Sequence, residues 1–112
     1  MAPAASSPFE EPTCGSINQA LQIIGDKWSG LIIYQLSTGP KRFSELEQAL
    51  HIGPRTLSQR LDNMEEQCVL RKQVFAEAPP RVEYTLTDRG HDLLPILECM
   101  ADWGRKYSKG VK

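Results

Sequence analysis

Gly53-Pro54 is followed by Arg55, Thr56, Ser58, Gln59 and Arg60, a run of hydrogen-bonding side chains within two turns of a helix. Arginine, glutamine and hydroxyl groups are the types that pair with base edges in the DNA major groove. Lys41, Arg42 and Ser44 precede them, and Arg81 follows. Lysine and arginine release counterions from phosphate, and the free N–H groups of a helix N-terminus bind anions. These nine residues are the candidate contacts to double-stranded DNA. Arg55 and Gln59 are expected to make base or groove contacts, and Arg81 to reach the backbone or minor groove. Chemistry of other kinds has no comparable residue set. His51 and His91 stand alone, without a partner at metal-ligand spacing. The chain has no glycine-rich phosphate loop, no nucleophile elbow and no carboxylate pair. It reads as a binding protein and not an enzyme, with no cofactor and no metal.

The elements that position these residues can be read in order. Ser16 with Gln19 is a capping-box pattern, and Ile17, Leu21 and Ile24 follow at helical spacing up to Gly25. A second helix is expected over residues 26–37, where Trp28, Leu31, Ile32, Ile33 and Leu36 make it apolar nearly all round and therefore central and buried. Ser44 with Glu47 is a second capping box and opens a short helix. His51-Ile52-Gly53 is a turn, and Pro54 suits the first position of the next helix. There Leu57, Leu61, Met64 and Cys68 share one face, while Arg55, Gln59 and Asp62 point away. Residues 70–76 and 81–87 alternate as strands joined by the stiff Ala78-Pro79-Pro80 loop. Thr87 can cap a last helix in which Pro95 makes a kink or a late start. The fold class is mainly α with a small β hairpin: a winged helix-turn-helix, which puts one helix in the major groove and a hairpin beside it.

At 112 residues there is room for one domain, expected over 13–112, preceded by an Ala-, Pro- and Ser-rich disordered tail over 1–12. No apolar run spans a membrane and no signal peptide opens the chain, so a cytoplasmic place at the nucleoid is expected. Thirteen basic and fourteen acidic side chains nearly cancel, whereas many DNA-binding domains are strongly basic. Distribution matters more than the sum. Lys41, Arg42, Arg55, Arg60, Arg71, Lys72, Arg81 and Arg89 lie within the binding unit, and many acids lie elsewhere. Asp62, Glu65 and Glu66 leave only the first half of the reading helix to face phosphate. A winged-helix module that binds protein is the alternative that the near-neutral charge permits.

Leu93, Leu94, Ile96, Leu97, Met100, Trp103 and Tyr107 give the last helix an apolar stripe too wide for a small domain to cover, the mark of an interface. The first and last helices are expected to join two copies of the chain. Three cysteines, Cys14, Cys68 and Cys99, match no zinc or disulfide spacing. Cys68 is expected to be buried and inert. Cys14 lies two residues before the expected cap of the first helix, close to a helix end that favours thiolate, with Lys27 a candidate neighbour. It reads either as a sensing thiol or as an inert one at the edge of the tail.

Several stretches together resemble the HxlR-type winged-helix regulators of bacteria. They are Ile24-Gly25-Asp26-Lys27-Trp28, Gly39-Pro40-Lys41-Arg42-Phe43-Ser44-Glu45-Leu46, Thr56-Leu57-Ser58-Gln59-Arg60-Leu61 and Pro80-Arg81-Val82-Glu83-Tyr84-Thr85-Leu86-Thr87, then Leu94-Pro95 and Trp103. The resemblance covers residues 14–107. It implies a homodimer acting on promoter DNA as a transcriptional regulator, with repression the expected sign. Such regulators often carry a cysteine just before the first helix, where Cys14 stands, and in several it senses oxidants or electrophiles. That makes Cys14 the redox-sensing candidate, with Cys99 or Cys68 of a partner as a second thiol, a one-cysteine adduct as the other outcome, and a regulator answering to some other signal as the alternative. One departure is Gly53, which stands where the family often has serine.

Overall fold

A computed structural model describes residues 12–108. Helix α1 (Pro12–Ile24) meets α2 (Ser29–Gln35) at a tight corner, and α2 runs into one 3-10 turn, Leu36–Thr38. Helices α3 (Phe43–Leu50) and α4 (Pro54–Glu66) follow, then strands β1 (Leu70–Phe75) and β2 (Arg81–Leu86), one turn of helix α5 (Asp88–His91), and α6 (Leu94–Ser108). The strands pair antiparallel from Leu70 opposite Leu86 to Phe75 opposite Arg81. On the other side of β2 the backbones of Lys41 and Tyr84 exchange two hydrogen bonds, of 3.0 and 2.8 Å. Lys41 thus ties the start of the helix-turn-helix to the wing. The expected winged helix-turn-helix is the fold observed. The tail expected over residues 1–12 lies outside the described residues except for Pro12, which is helical.

Ile32, Ile33, Leu46, Leu57, Leu61, Met64, Val69 and Leu70 are sealed from solvent and form the core between α2, α3, α4 and the hairpin. Leu57, Leu61 and Met64 come from one face of α4, as their spacing requires. Gly90 lets α5 close over the hairpin: a Cβ there would stand 2.1 Å from the Val69 carbonyl oxygen. Thr87 fixes the same junction. Its hydroxyl accepts from the Gly90 N–H at 3.1 Å and donates to the Cys68 carbonyl at 2.6 Å.

Several local expectations are corrected. Helix α1 starts four residues before Ser16, so Cys14 lies inside its first turn and not ahead of it. Lys27 is beyond the far end of that helix; at 1.5 Å rise per residue, Cys14 and Ile24 are already about 15 Å apart. The second helix starts at Ser29, because residues 25–28 form the corner. It is not buried all round, since Leu31 and Tyr34 are half exposed. The α3 cap is displaced by two residues. Arg42 leaves the Lys41–Tyr84 bridge in an extended conformation, and its N–H donates to Glu45 Oε1 at 2.7 Å. Ser44 is already helical. Cys68 is exposed, because α4 ends at Glu66 and Cys68 adopts a left-handed φ of 63°. That reversal gives the core position to Val69 instead. Of the two roles open to Pro95, the late start holds: it is the second residue of α6, after the break behind α5.

Candidate nucleic-acid interface

The α3–turn–α4 unit is set by three local features. His51 takes a left-handed conformation (φ 53°) and ends α3. Ile52 drops into the core. Gly53 is extended and Pro54 opens α4, where its missing N–H costs nothing. With Leu57, Leu61 and Met64 buried, the opposite face of α4 presents Arg55, Ser58, Gln59 and Asp62 to solvent. Their spacing of three, four and seven residues from Arg55 puts them on one stripe. Arginine and glutamine on such a stripe can pair bidentately with guanine and adenine, and an aspartate can accept from the cytosine amino group. The first N–H groups of α4 beside Arg55 have no intrahelical acceptor and suit phosphate.

The remaining sequence candidates divide. Arg42 and Ser44 are exposed at the start of α3. Lys41 is half-buried, and its ammonium donates to Thr38 Oγ1 at 3.0 Å. Thr56 is half-buried on the flank of α4. Arg60 turns back from the stripe and pairs with Asp26 at 3.6 Å, each side chain 30% exposed. Arg81 stands where β2 leaves the loop, but its guanidinium lies 4.1 Å over the Phe75 ring and pairs with Glu77 at 3.2 Å and Glu83 at 3.5 Å. The exposed cations of the hairpin that have no ion partner among the described residues are Arg71 and Lys72 on β1.

Asp26 is the residue the sequence did not single out. Its Oδ2 accepts from the backbone N–H groups of Trp28 (2.8 Å) and Ser29 (3.0 Å). Burial pushes its carboxyl up, but the nearby Ser29 hydroxyl, those two N–H groups and the Arg60 charge outweigh burial and hold it below its ordinary 3.8. The fully buried Ser29 hydroxyl makes no hydrogen bond of good geometry, so its influence is that of a nearby dipole. Only a tertiary partner, Arg60, reveals this role. At the other end of α4, burial and then the charges of Asp62 and Glu65 push the Tyr84 phenol up. The second half of the helix is thus negative toward the wing.

A different surface lies on the side of α1 and α6. Helix α6 has no buried residue. Leu93, just ahead of the helix, and Leu97 within it were both expected on the outer stripe but pack against the core, with a Leu97 methyl only 3.1 Å from where a Cβ on Gly30 would stand. The outer stripe is Ile96, Met100, Trp103 and Tyr107, with Leu31 and Tyr34 of α2 beside Met100; Ile17 and Leu21 of α1 are exposed as well. A cavity of about 380 Å³ opens between α2 and α6, lined by Asp26, Leu31, Tyr34 and Met100 among others. Cys14 is half-buried in α1, and Cys68 and Cys99 are exposed; none is in a disulfide. Among the described residues no helix is long and apolar enough to cross a membrane, and no three His, Cys, Asp or Glu side chains gather as a metal site.

Comparison with known proteins agrees with this geometry. Residues 23–112 match the model of the HxlR-like helix-turn-helix family. The uncharacterized HTH-type transcriptional regulator YdeP of Bacillus subtilis (strain 168) is 40% identical over 96 residues, covering 85% of this chain and 75% of that protein. The redox regulator HypR in its oxidized form superposes with a TM-score of 0.77 at 35% identity, covering 81% of this chain and 95% of HypR. The reduced form of the transcriptional regulator YodB from B. subtilis gives 0.78 at 33% identity, covering 88% and 98%. The chain belongs to the HxlR-like helix-turn-helix family, a family of DNA-binding transcriptional regulators and not of enzymes.

Proposed function

We propose that the protein regulates transcription as a homodimer that lays α4 of each subunit in the major groove of promoter DNA. The observation that carries this reading is the division of α4 into a sealed apolar face and an exposed stripe of Arg55, Ser58, Gln59 and Asp62. Arg55 and Gln59 read bases, with Thr56 and Ser58 at the edges of the same surface. Arg42, Ser44 and Lys41 hold the phosphates beside α3. Phosphate contacts on the wing fall to Arg71 and Lys72, while Arg81, clamped by Glu77 and Glu83, chiefly orders the hairpin and reaches DNA only by exchanging a carboxylate for a phosphate. The dimer forms through α1 and α6, whose apolar stripes are exposed among the described residues.

Titration of the DNA flanking its own gene across a salt series separates this reading from a protein-binding wing. Affinity for DNA should fall steeply as salt rises, in proportion to the phosphates neutralised. Retention that ignores salt, or no retention at low salt, would reject DNA as the partner.

The same proposal assigns the signal to Cys14. It stands half-buried in the first turn of α1, three residues before Ile17 on the proposed interface. Two regulators of similar structure are described as a redox regulator, HypR, in its oxidized form and as the reduced form of YodB. Oxidation or alkylation at Cys14 would add bulk or a cross-link at the subunit contact and change the spacing of the two α4 helices. Cys99, exposed on α6, is the candidate second thiol. Release of DNA by diamide or quinone should be lost in Cys14→Ser, and non-reducing gels of Cys99→Ser and Cys68→Ser distinguish a disulfide from a one-cysteine adduct. Equal release from Cys14→Ser and wild type would mean that another signal governs the protein.

A further inference from the structure

We propose that Asp26 is a positioning residue for DNA recognition: it holds Arg60 of α4, fixing the helix against the α1–α2 corner and keeping that arginine out of phosphate pairing. The inference rests on the reading of α4 as the DNA-binding helix. A Cβ on Gly25 would stand 2.3 Å from the Leu21 carbonyl oxygen, so the chain turns there in a space only glycine fits. The turn delivers Asp26 with its two oxygens in different directions. Oδ2 takes the N–H groups of Trp28 and Ser29 and fixes the start of α2. Oδ1 faces Arg60 Nη1 across 3.6 Å and ties down α4. One carboxylate therefore joins two elements that the apolar core holds together only by non-directional contact.

An ion pair this exposed contributes little to stability. Its consequence lies in charge and orientation. Arg60 shares a helix with Arg55 and is one residue beyond Gln59. Without Asp26 it would be a further guanidinium for phosphate, and each phosphate neutralised strengthens binding to any sequence alike. With Asp26, α4 keeps Arg55 as its cation for DNA, and discrimination rests on base contacts. Asp26 also lines the cavity between α2 and α6.

The test uses the full-length protein, a duplex it protects from the DNA flanking its own gene, and a random-sequence duplex, each titrated across a salt series. Asp26→Asn keeps an oxygen acceptor for the Trp28 and Ser29 N–H groups and removes the charge that holds Arg60. It should raise affinity for the random duplex several-fold, steepen the salt slope by about 0.9 for each subunit, and lower the ratio of specific to random affinity. Adding Arg60→Gln to Asp26→Asn should return the slope to the wild-type value. Arg60→Gln alone should lower the ratio without flattening the slope, a measurement that stands even if Asp26→Asn folds poorly. Slope and ratio both unchanged in Asp26→Asn would overturn the proposal. So would a slope in Arg60→Gln flattened as much as in Arg55→Ala, since Arg60 would then be a phosphate ligand in its own right. If the wild type shows no salt-dependent DNA binding, the reading of α4 fails first and the inference falls with it. If the wild type binds and Asp26→Asn does not differ, only the inference fails.

Discussion

Arg55 and Gln59 stand exposed on α4, one helical turn apart. Removing a bidentate base contact costs about 1–3 kcal/mol and relaxes specificity at one base. Arg55→Ala and Gln59→Ala should each show that loss on the preferred duplex and a smaller one on random DNA. Equal losses on both duplexes would assign them to the backbone. Arg81→Ala should weaken all sequences evenly, because it loosens a hairpin. Asp26 carries a second, independent expectation. Its carboxyl is held below 3.8 in the fold, so the stability it supplies is complete above that value and is lost as pH falls through the folded value. Denaturant unfolding of Asp26→Asn and wild type should differ at pH 7, and the gap should narrow as pH falls below 3.8; a gap that widens in acid would contradict the sign. The exposed polar stripe of α4 was legible in the sequence because helical periodicity separates it from Leu57, Leu61 and Met64. Asp26 was not, because its partner is 34 positions away. Cys68 was misplaced because periodicity cannot see where a helix ends, and a left-handed residue moved it out of the buried row.

At the scale of elements, the junction of hairpin and α5 has the least tolerance. Gly90→Ala puts a methyl group against the Val69 carbonyl and the Leu86 side chain, an overpacking expected to cost about 1–3 kcal/mol. Gly104→Ala, on a helix where a Cβ meets nothing within 4 Å, is the control, and thermal unfolding reads both. If Gly90→Ala melts with Gly104→Ala, α5 is not locked as described. Helix starts were the least legible elements. Ser16 and Ser44 carry sound capping patterns, yet α1 begins at Pro12 and α3 is capped from Arg42. In the second case the backbone pairing of Lys41 with Tyr84 fixed where the chain could turn, and that long-range contact outweighed the local signal. The turn at 51–53, Pro54 and the paired strands were legible because each depends on neighbours in sequence.

At the scale of the whole molecule, α6 exposes 69% of Trp103 and 54% of Met100. Met100→Asp with Trp103→Asp should give a folded monomer by sedimentation, with DNA affinity reduced because two linked α4 helices become two separate ones. An unchanged dimer would move the interface elsewhere. The stripe was visible in the sequence, but its division was not. Seven apolar positions in one periodic run do not reveal that Leu93, Leu94 and Leu97 belong to the core and Ile96, Met100, Trp103 and Tyr107 to the outside until the neighbouring helices are packed beside them. The central claim, a dimer that sets two α4 helices in the major groove, is tested most directly by a hydroxyl-radical footprint on the DNA flanking its own gene. The dimer should leave two protected half-sites related by a two-fold axis, with centres one helical turn, about 10–10.5 base pairs, or a multiple of it apart. Protection of one half-site at saturating protein, or none, would contradict it.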